Sequence, residues 1–525
     1  MIIIYTFAWF YIIQRMKKLR PIMLAGTGSD VGKSIVATGF CRIFVQDGYH
    51  PAPFKAQNMA LNSYATPDGF EIGRAQAVQA EAAGIPCHTD MNPLLLKPQD
   101  NHTSQVVLHG RVLGQKDAYD YWRFKQTTTA DGRTIDFRSE VCQAYDRLAA
   151  HYNPIVMEGA GSIAELNLHD TDIVNLPMAR HAGAVVILVA DIDRGGVFAS
   201  AYGSIALQDE ADRRLIKGII INKFRGDLRL FDKGREMMEQ ICGVPVLGVL
   251  PYLPDLHIEE EDSVALDRKN RQADAVGKVK VAVVRLPHLS NFTDFDSLEH
   301  SSRVHIYYTY RAEDLLSADV VIVPGSKNTI ADLSDMRCHG IDEAILGAHR
   351  RGAVVLGICG GYQMLGQTIS DPTHQEGDAV LSAGLGLLPV STIIGTEKTT
   401  RQVSAQLLPA ANAEVRGYEI HMGSTVPAGD AVRKPLLRFS DGTTDGYVAD
   451  SNGSGGLCIG TYLHGILDNA VFADYLLQSF PQTSGLESAI DDYGAFRERQ
   501  YDLLADHVRR HVDMTQIYNI LSSDD

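Results

Sequence analysis

The 525-residue chain lacks several features that would place it in other classes of protein. Its seven cysteines, at positions 41, 87, 142, 242, 338, 359 and 458, are odd in number and scattered, and no two form a Cys-x-x-Cys pair. Neither a disulfide framework nor a cysteine-based zinc site is indicated, and a reducing, cytoplasmic setting is expected. Basic residues are outnumbered, 48 Lys plus Arg against 64 Asp plus Glu, for a formal net charge of −16. That balance argues against a nucleic-acid partner held by a general basic surface, while leaving room for local basic pockets that take phosphates or carboxylates. The uncharged opening MIIIYTFAWFYII is too short to span a bilayer as a helix. Arg15, Lys17, Lys18 and Arg20 follow it instead of preceding it, the reverse of a secretory signal, and no small-x-small cleavage site appears. Residues 1–15 are read as a start-site extension ahead of Met16, with an interfacial anchor as the alternative; no membrane partner is expected. Internal repeats and low-complexity segments are also missing.

What is present is an ordinary globular composition, 45% hydrophobic and 21% charged. A chain of this length predicts two or three packed units instead of one core. The apolar runs PIMLAGTG, PIVMEGAG, AVVILVAD, KGIIINKF and VPVLGVLP each precede a turn and a helix-like stretch. Runs apolar at nearly every position suit parallel strands covered on both faces, so residues 16–252 read as a doubly wound α/β domain. Residues 253–278 carry EEED and RKNRQ with little apolar periodicity and read as a linker. KVKVAVVRL, ADVVIVPGS and GAVVLGICGG then begin a second α/β domain, residues 279–480, whose far half from Ala379 to Leu463 reads as short strands and turns. Residues 481–525 read as a closing helical tail.

The segment Gly26-Thr27-Gly28-Ser29-Asp30-Val31-Gly32-Lys33-Ser34 lies between an apolar strand and the helical pattern IVATGFCRIF. Such a turn lets backbone N–H groups of Gly28 and Gly32 face a polyphosphate, with Lys33 near the terminal phosphates and the Ser34 hydroxyl on Mg²⁺. Thr27 stands where the strict phosphate-loop pattern has glycine, and the loop resembles the variant found in dethiobiotin synthetase and its relatives. Glu158, at the carboxyl end of a buried strand, is a second candidate Mg²⁺ ligand, the alternative being a structural hydrogen bond to the glycine turn. Asn222, in IIINKFRGD, resembles the Asn-Lys element those relatives use near the base, and Asp191 ends another strand. Lys55, Gln57, Asn58 and Asn62 are candidates for phosphate or substrate contact.

In the second domain, Leu356-Gly357-Ile358-Cys359-Gly360-Gly361 is a strand and tight turn leading into a helix. Flanking glycines permit an elbow that exposes the thiol, and the helix N-terminus favours negative charge there and offers the Gly360 N–H to an oxyanion. The arrangement resembles class I glutamine amidotransferases, whose cysteine attacks the glutamine side chain and releases ammonia through a thioester. His464, in GTYLHG, is the expected base; His421, in GYEIHMG, is the other candidate and reads as a pocket wall. Ile466 stands where most such enzymes carry a glutamate, so the unit reads as a Cys–His dyad. Gly325, in PGSKNT, is the candidate second oxyanion donor, against a tight turn with no catalytic part.

An ATP-phosphate site and a glutamine-hydrolysing site in one chain imply amide synthesis. In order, GTGSDVGKS, FKAQNMALNSY, QVVLHGR, DIDRGGVFAS, PHLSNFTDFDSL, PGSKNTIADL, GICGGYQMLG, GYEIHMG and GTYLHG resemble the cobyric acid synthase family. The resemblance implies glutamine- and ATP-dependent amidation of the b, d, e and g carboxylates of adenosylcobyrinic acid a,c-diamide, a corrinoid, with ATP, Mg²⁺ and glutamine as requirements; oligomerisation is left open. The alternatives are a cobyrinic acid a,c-diamide synthase and, from another class, a non-enzymatic ATP-binding switch.

Overall fold

The five apolar runs of the first half become five of the six strands of one parallel sheet, in the spatial order Val246–Pro251, Ile216–Phe224, Val185–Asp191, Ile22–Gly26, Ile155–Glu158 and Ala52–Phe54. The computed structural model describes residues 17–98, 103–117, 126–128, 132, 134–259, 278–377, 379–449, 455–480 and 493–523. The start-site reading of residues 1–15, most of the linker and the start of the tail lie outside the described residues. Every residue of Ile22–Gly26 and Val185–Asp191 is buried, as expected of strands covered on both faces. Their carboxyl ends bring the phosphate loop, Glu158, Asp191 and Asn222 to one edge of the sheet, where open α/β sheets take ligands.

Between Ala52–Phe54 and the helix Phe137–Ala149 the chain makes an excursion that the sequence pattern did not announce. A four-stranded sheet (Gln57–Met59, Leu94–Pro98, Thr103–Leu108, Arg111–Asp117) and a small hairpin (Ser63–Ala65 with Glu71–Gly73) are joined by the helix Arg74–Ala82. That helix buries Arg74, Gln76 and Gln79, polar side chains that an amphipathic reading would have placed in water.

The second sheet runs Val304–Thr309, Val279–Val284, Val320–Val323, Val354–Ile358, Cys458–Thr461 and Tyr447–Ala449, parallel except for the last pair. The region expected to hold only short strands contains instead a long antiparallel hairpin, Val390–Leu407 with Ala413–Pro427, broken by an irregularity between Ile394 and Thr399. Its strands alternate buried and exposed residues only in part, because they leave the sheet core and lean against the first domain. Five of the seven cysteines, Cys41, Cys87, Cys242, Cys359 and Cys458, are buried, and Cys338 is exposed at the end of the helix Thr329–Cys338.

The tail forms two helices, Tyr493–His511 and Met514–Ser522. They pack chiefly on the first domain, while Tyr493 at their start joins the core of the second. Tyr501, Leu504, Ala505 and Val508 pack with Phe40 and Phe44 of the helix Lys33–Gln46, the one that begins at the phosphate loop. Asp513 N–H donates to Leu247 O at 2.8 Å, tying the tail to the edge strand. No helix among the described residues is long and apolar enough to cross a membrane. Leu504, 2% exposed, lies at the centre of this contact. Its replacement by Ala is expected to cost about 2–5 kcal/mol, read as a lowered thermal midpoint that addition of nucleotide partly restores.

Candidate active sites

The phosphate loop leaves the strand Ile22–Gly26 and enters the helix Lys33–Gln46 through Gly32, whose φ of 94° lies in the left-handed region. A side chain at Gly32 would also run into the Asn222 amide nitrogen, at 2.1 Å from an added Cβ. Asn222 Nδ2 donates to Val31 O at 2.9 Å, so this residue braces the loop. Lys33 Nζ curls back to donate to Gly28 O and Gly161 O, at 2.8 and 3.0 Å. Gly32, Lys33, Ser34, Lys55, Asn58, Glu158 and Asn222 line one cavity of about 590 Å³, so most of the residues singled out by pattern meet in space. Gly28 contributes its carbonyl to the loop from outside the lining.

Glu158, 1% exposed, accepts from Ser34 Oγ (2.9 Å), Lys55 Nζ (2.8 Å) and Gln79 Nε2 (2.6 Å). Burial pushes its carboxyl up, but the charge and hydrogen bond of Lys55, helped by Gln79 and Lys33, hold it below the ordinary carboxylate range. Asp191 faces Lys223 Nζ at 3.1 Å, and the Lys223 ammonium reaches Asp30 in the loop; it supports the site from behind. Asn62 departs from expectation. Its side chain leaves the nucleotide cavity, and Oδ1 accepts from Phe292 N of the second domain at 3.2 Å.

Cys359 sits at the predicted elbow with φ 54° and ψ −110°, between the strand Val354–Ile358 and the helix Gly360–Leu365. The glycines are required by close approach: an added Cβ at Gly361 would lie 1.9 Å from Val323 O, and at Gly360 2.8 Å from Ser326 N. The thiol donates to Ile420 O at 3.5 Å, and its proximity to His464 is felt in the raised pKa of the imidazole. Gly325 pairs with Ser290, and an added Cβ there would stand 3.5 Å from His464 Cε1, so the loop borders the imidazole.

The pair has a third member that the Ile466 position concealed. Asp294 Oδ2 lies 2.7 Å from His464 Nδ1, and Asp294 Oδ1 accepts from Gly465 N at 2.9 Å. The carboxylate arrives from the turn Phe292–Phe295, 170 residues earlier in the chain. Its signal is the segment SNFTDFDSL, which in the sequence alone carries only a family resemblance. Burial drives the His464 pKa down, yet the charge and hydrogen bond of Asp294, with Cys359, more than offset it and raise the imidazole to about 10. His421 is not brought to the thiol as a base. Its Nδ1 lies 2.8 Å from Gly423 O, its ring stacks on Tyr462 at 3.8 Å, and burial pushes its pKa down to about 4. Beyond it, Gln363 Nε2 donates to Tyr462 OH (3.1 Å) and Gln363 Oε1 accepts from Thr329 Oγ1 (3.2 Å), while Glu376 accepts from Thr329 N (2.6 Å).

A phosphate-loop domain and a Cys–His–Asp site on a class I amidotransferase sheet together define a glutamine-dependent carbon–nitrogen ligase. Residues 22–264 match the CobQ/CobB/MinD/ParA nucleotide binding domain and residues 280–472 the CobB/CobQ-like glutamine amidotransferase domain. Cobyric acid synthase from Bacteroides fragilis is 61% identical over 97% of this chain and 100% of its own length. The enzymes of that name from Phocaeicola vulgatus and Syntrophobacter fumaroxidans are 58% and 47% identical, covering 97% and 96% of this chain and 100% and 99% of theirs. The chain belongs to the cobyric acid synthase family, the glutamine-dependent amidotransferases of cobalamin biosynthesis.

Asp294→Asn is expected to lower glutamine-dependent turnover by roughly 10²- to 10⁴-fold while sparing amidation from free ammonium. His464 also links stability to pH. Its folded pKa is raised from 6.5 to about 10, so its contribution is complete below 6.5 and is lost as pH climbs through about 10. The stability gap between wild type and Asp294→Asn, measured by denaturant unfolding, is expected to be widest at or below neutrality and to close in alkali.

Proposed function

We propose that the chain amidates the b, d, e and g carboxylates of adenosylcobyrinic acid a,c-diamide, using ATP to activate each carboxylate and glutamine to supply ammonia. The observation that carries this reading is that the two sites meet: Asn62 and Ser63 of the nucleotide domain contact Phe292 and Asn291 beside His464. Ammonia released at Cys359 is mostly protonated in bulk water at neutral pH, so two sites joined across a dry seam keep it nucleophilic. In this reading residues 16–252 form the synthetase, 279–480 the glutaminase, and the reaction takes place within the cytoplasm.

The glutaminase half follows from the proton inventory. The proton drawn from the sulfur resides on His464, stabilised by Asp294 through Nδ1. Sulfur attacks the glutamine amide carbon, and the N–H groups of Gly360 and Gly325 receive the developing oxyanion. His464 then gives its proton to the departing nitrogen, and water, deprotonated by the same imidazole, hydrolyses the thioester.

In the synthetase half, Gly28, Gly32 and Lys33 hold the polyphosphate, Asn222 keeps the loop in shape, and Lys55 and Asn58 face the acceptor. Ser34 Oγ and the Glu158 carboxylate, 2.9 Å apart, form a hard-oxygen pair that fits Mg²⁺. The buried Gln79 Oε1 beside them has no hydrogen-bond partner among the described residues. Mg²⁺ bound there would neutralise phosphate charge during transfer.

The reading is tested by mass spectrometry of the corrinoid after incubation with ATP and glutamine labelled with nitrogen-15 in the side chain. Four successive replacements of hydroxyl by labelled amide are expected on the a,c-diamide; a stop at two, or no change, as a cobyrinic acid a,c-diamide synthase would give on a substrate already amidated at a and c, overturns it. Cys359→Ser is expected to abolish incorporation from glutamine and to retain amidation from ammonium.

A further inference from the structure

The nucleotide cavity has two ends, set by the order of strands in the first sheet. The strand Ile22–Gly26, which leads into the phosphate loop, has Ile155–Glu158 and Ala52–Phe54 on one side, so Glu158 and Lys55 mark the acceptor end. On the other side lie Val185–Asp191, Ile216–Phe224 and Val246–Pro251, and there the cavity is lined by Asn222, Tyr252, Leu253 and Pro254. This second end is firmly held. Tyr252 N donates to Phe224 O at 2.7 Å, and the Arg225 guanidinium lies 3.8 Å over the Tyr252 ring, itself tied to Asp193 Oδ1 at 2.8 Å. Ile35 of the loop helix and Leu504 and Val508 of the tail add apolar walls. An apolar slot continuous with a phosphate loop, on the side away from the acceptor, suits the flat base of a nucleotide.

Two polar side chains of this end are set as acceptors. Asn222 spends its Nδ2 on Val31 O, so its oxygen is the atom left over. The neighbouring Lys223 ammonium is engaged with Asp191 at 3.1 Å. The second acceptor comes from the tail. His507, in the helix Tyr493–His511, lines the same cavity, although it follows Pro251 by 256 residues. Its Nε2 lies 3.0 Å from Pro251 O, and a carbonyl can only accept, so Nε2 carries a proton. Burial, with the nearby charge of His511, pushes the His507 pKa below the ordinary histidine value, and the ring is neutral at pH 7. Nδ1 is then a lone-pair acceptor, and it has no hydrogen-bond partner among the described residues. His511 does not take it: its own Nδ1 lies 2.8 Å from His507 O.

We infer that His507 selects the base of the nucleotide, its Nδ1 accepting a hydrogen bond from an exocyclic amino group such as the 6-amino group of adenine. A carbonyl oxygen in that place, as at position 6 of hypoxanthine, would set lone pair against lone pair with both groups out of water. The bond from Nε2 to Pro251 O holds the ring before the base arrives, so little ordering remains to be done on binding. The helix Tyr493–His511 therefore does more than fill the interior of the first domain. Leu504 and Val508 form a wall of the base slot and His507 reads the base, so the nucleotide site is complete only once the chain beyond the amidotransferase domain has folded back.

The inference rests on the proposed use of ATP but not on which carboxylates are amidated, so binding alone tests it. Affinities of the full chain for ATP, inosine triphosphate and inorganic tripolyphosphate, each with Mg²⁺, are measured by titration calorimetry, with thermal midpoints to report folding. Wild type is expected to prefer ATP to inosine triphosphate by roughly tenfold or more, because a hydrogen bond is lost and two acceptors are left opposed. His507→Phe keeps a ring and removes both nitrogens. It is expected to bring the ratio of the two affinities below about twofold while leaving that for tripolyphosphate unchanged. His507→Gln, whose amide can serve both Pro251 O and an amino group, is expected to keep the ratio at about fivefold or above. Where His507→Phe yields no folded protein, His507→Ala is read in the same way. A wild type that does not tell ATP from inosine triphosphate, or a wild-type ratio in His507→Phe, overturns the inference. So does an equal loss of binding for all three ligands, which gives His507 a purely structural part, and so does a His507→Gln ratio no better than that of His507→Phe. Failure of wild type to bind any of the three overturns the use of ATP, and this inference with it.

Discussion

A single imidazole with no solvent exposure is the constraint around which both halves of the chain are arranged. Burying a charge-bearing ring is costly unless a partner stays within reach, and here the Asp294 carboxylate meets Nδ1 at 2.7 Å. That pairing raises the pKa of the imidazole to about 10, against the pull of burial. It also obliges the turn Phe292–Phe295 to lie against the end of the strand Cys458–Thr461. Once the turn is there, Asn291 and Phe292 face outward from the amidotransferase sheet, and the nucleotide domain has a polar edge on which to dock.

The same economy of position governs the nucleotide site. A loop cannot present several N–H groups to phosphate without left-handed residues, and Gly32 meets that need while leaving space for the Asn222 amide behind it. Glu158 is kept ionised in a dry place by three donors drawn from three separate elements: the loop helix, the segment after Ala52–Phe54 and the helix Arg74–Ala82. The excursion that carries two of those donors also carries Asn62 and Ser63, so the fold uses one insertion to finish one site and to touch the other.

How much of this was legible from sequence depends on the distance over which the chemistry is specified. The parallel strands were readable because a doubly covered strand must be apolar along its whole length, and the loop and elbow because glycine spacing is a local demand. Cys359, His464, Lys33, Ser34 and Glu158 stand where those patterns placed them. Asp294 was not legible as a partner of His464, since a carboxylate supplied from 170 residues away leaves no spacing to read, and the usual local position holds Ile466. Asn62 was misplaced for a related reason: a polar residue following a strand end looks like a ligand contact until the docking of a second domain is known. The long hairpin Val390–Leu407 with Ala413–Pro427 escaped because its faces pack against different neighbours along their length, which erases the alternation of a half-buried strand.

The return of the C-terminal helices to the first domain has a consequence for the architecture of the polypeptide. The nucleotide domain is discontinuous: its core is completed by residues that lie beyond the whole amidotransferase domain in the chain, with Val508 and Leu504 meeting Gly39 of the loop helix. A cut between the two family domains would therefore not release two self-sufficient enzymes, because the first fragment would lack part of its own hydrophobic interior. Separating the activities into independent polypeptides would require a permuted gene, with the last helices moved ahead of the cut. The fusion is thus written into the packing as well as into the reading frame.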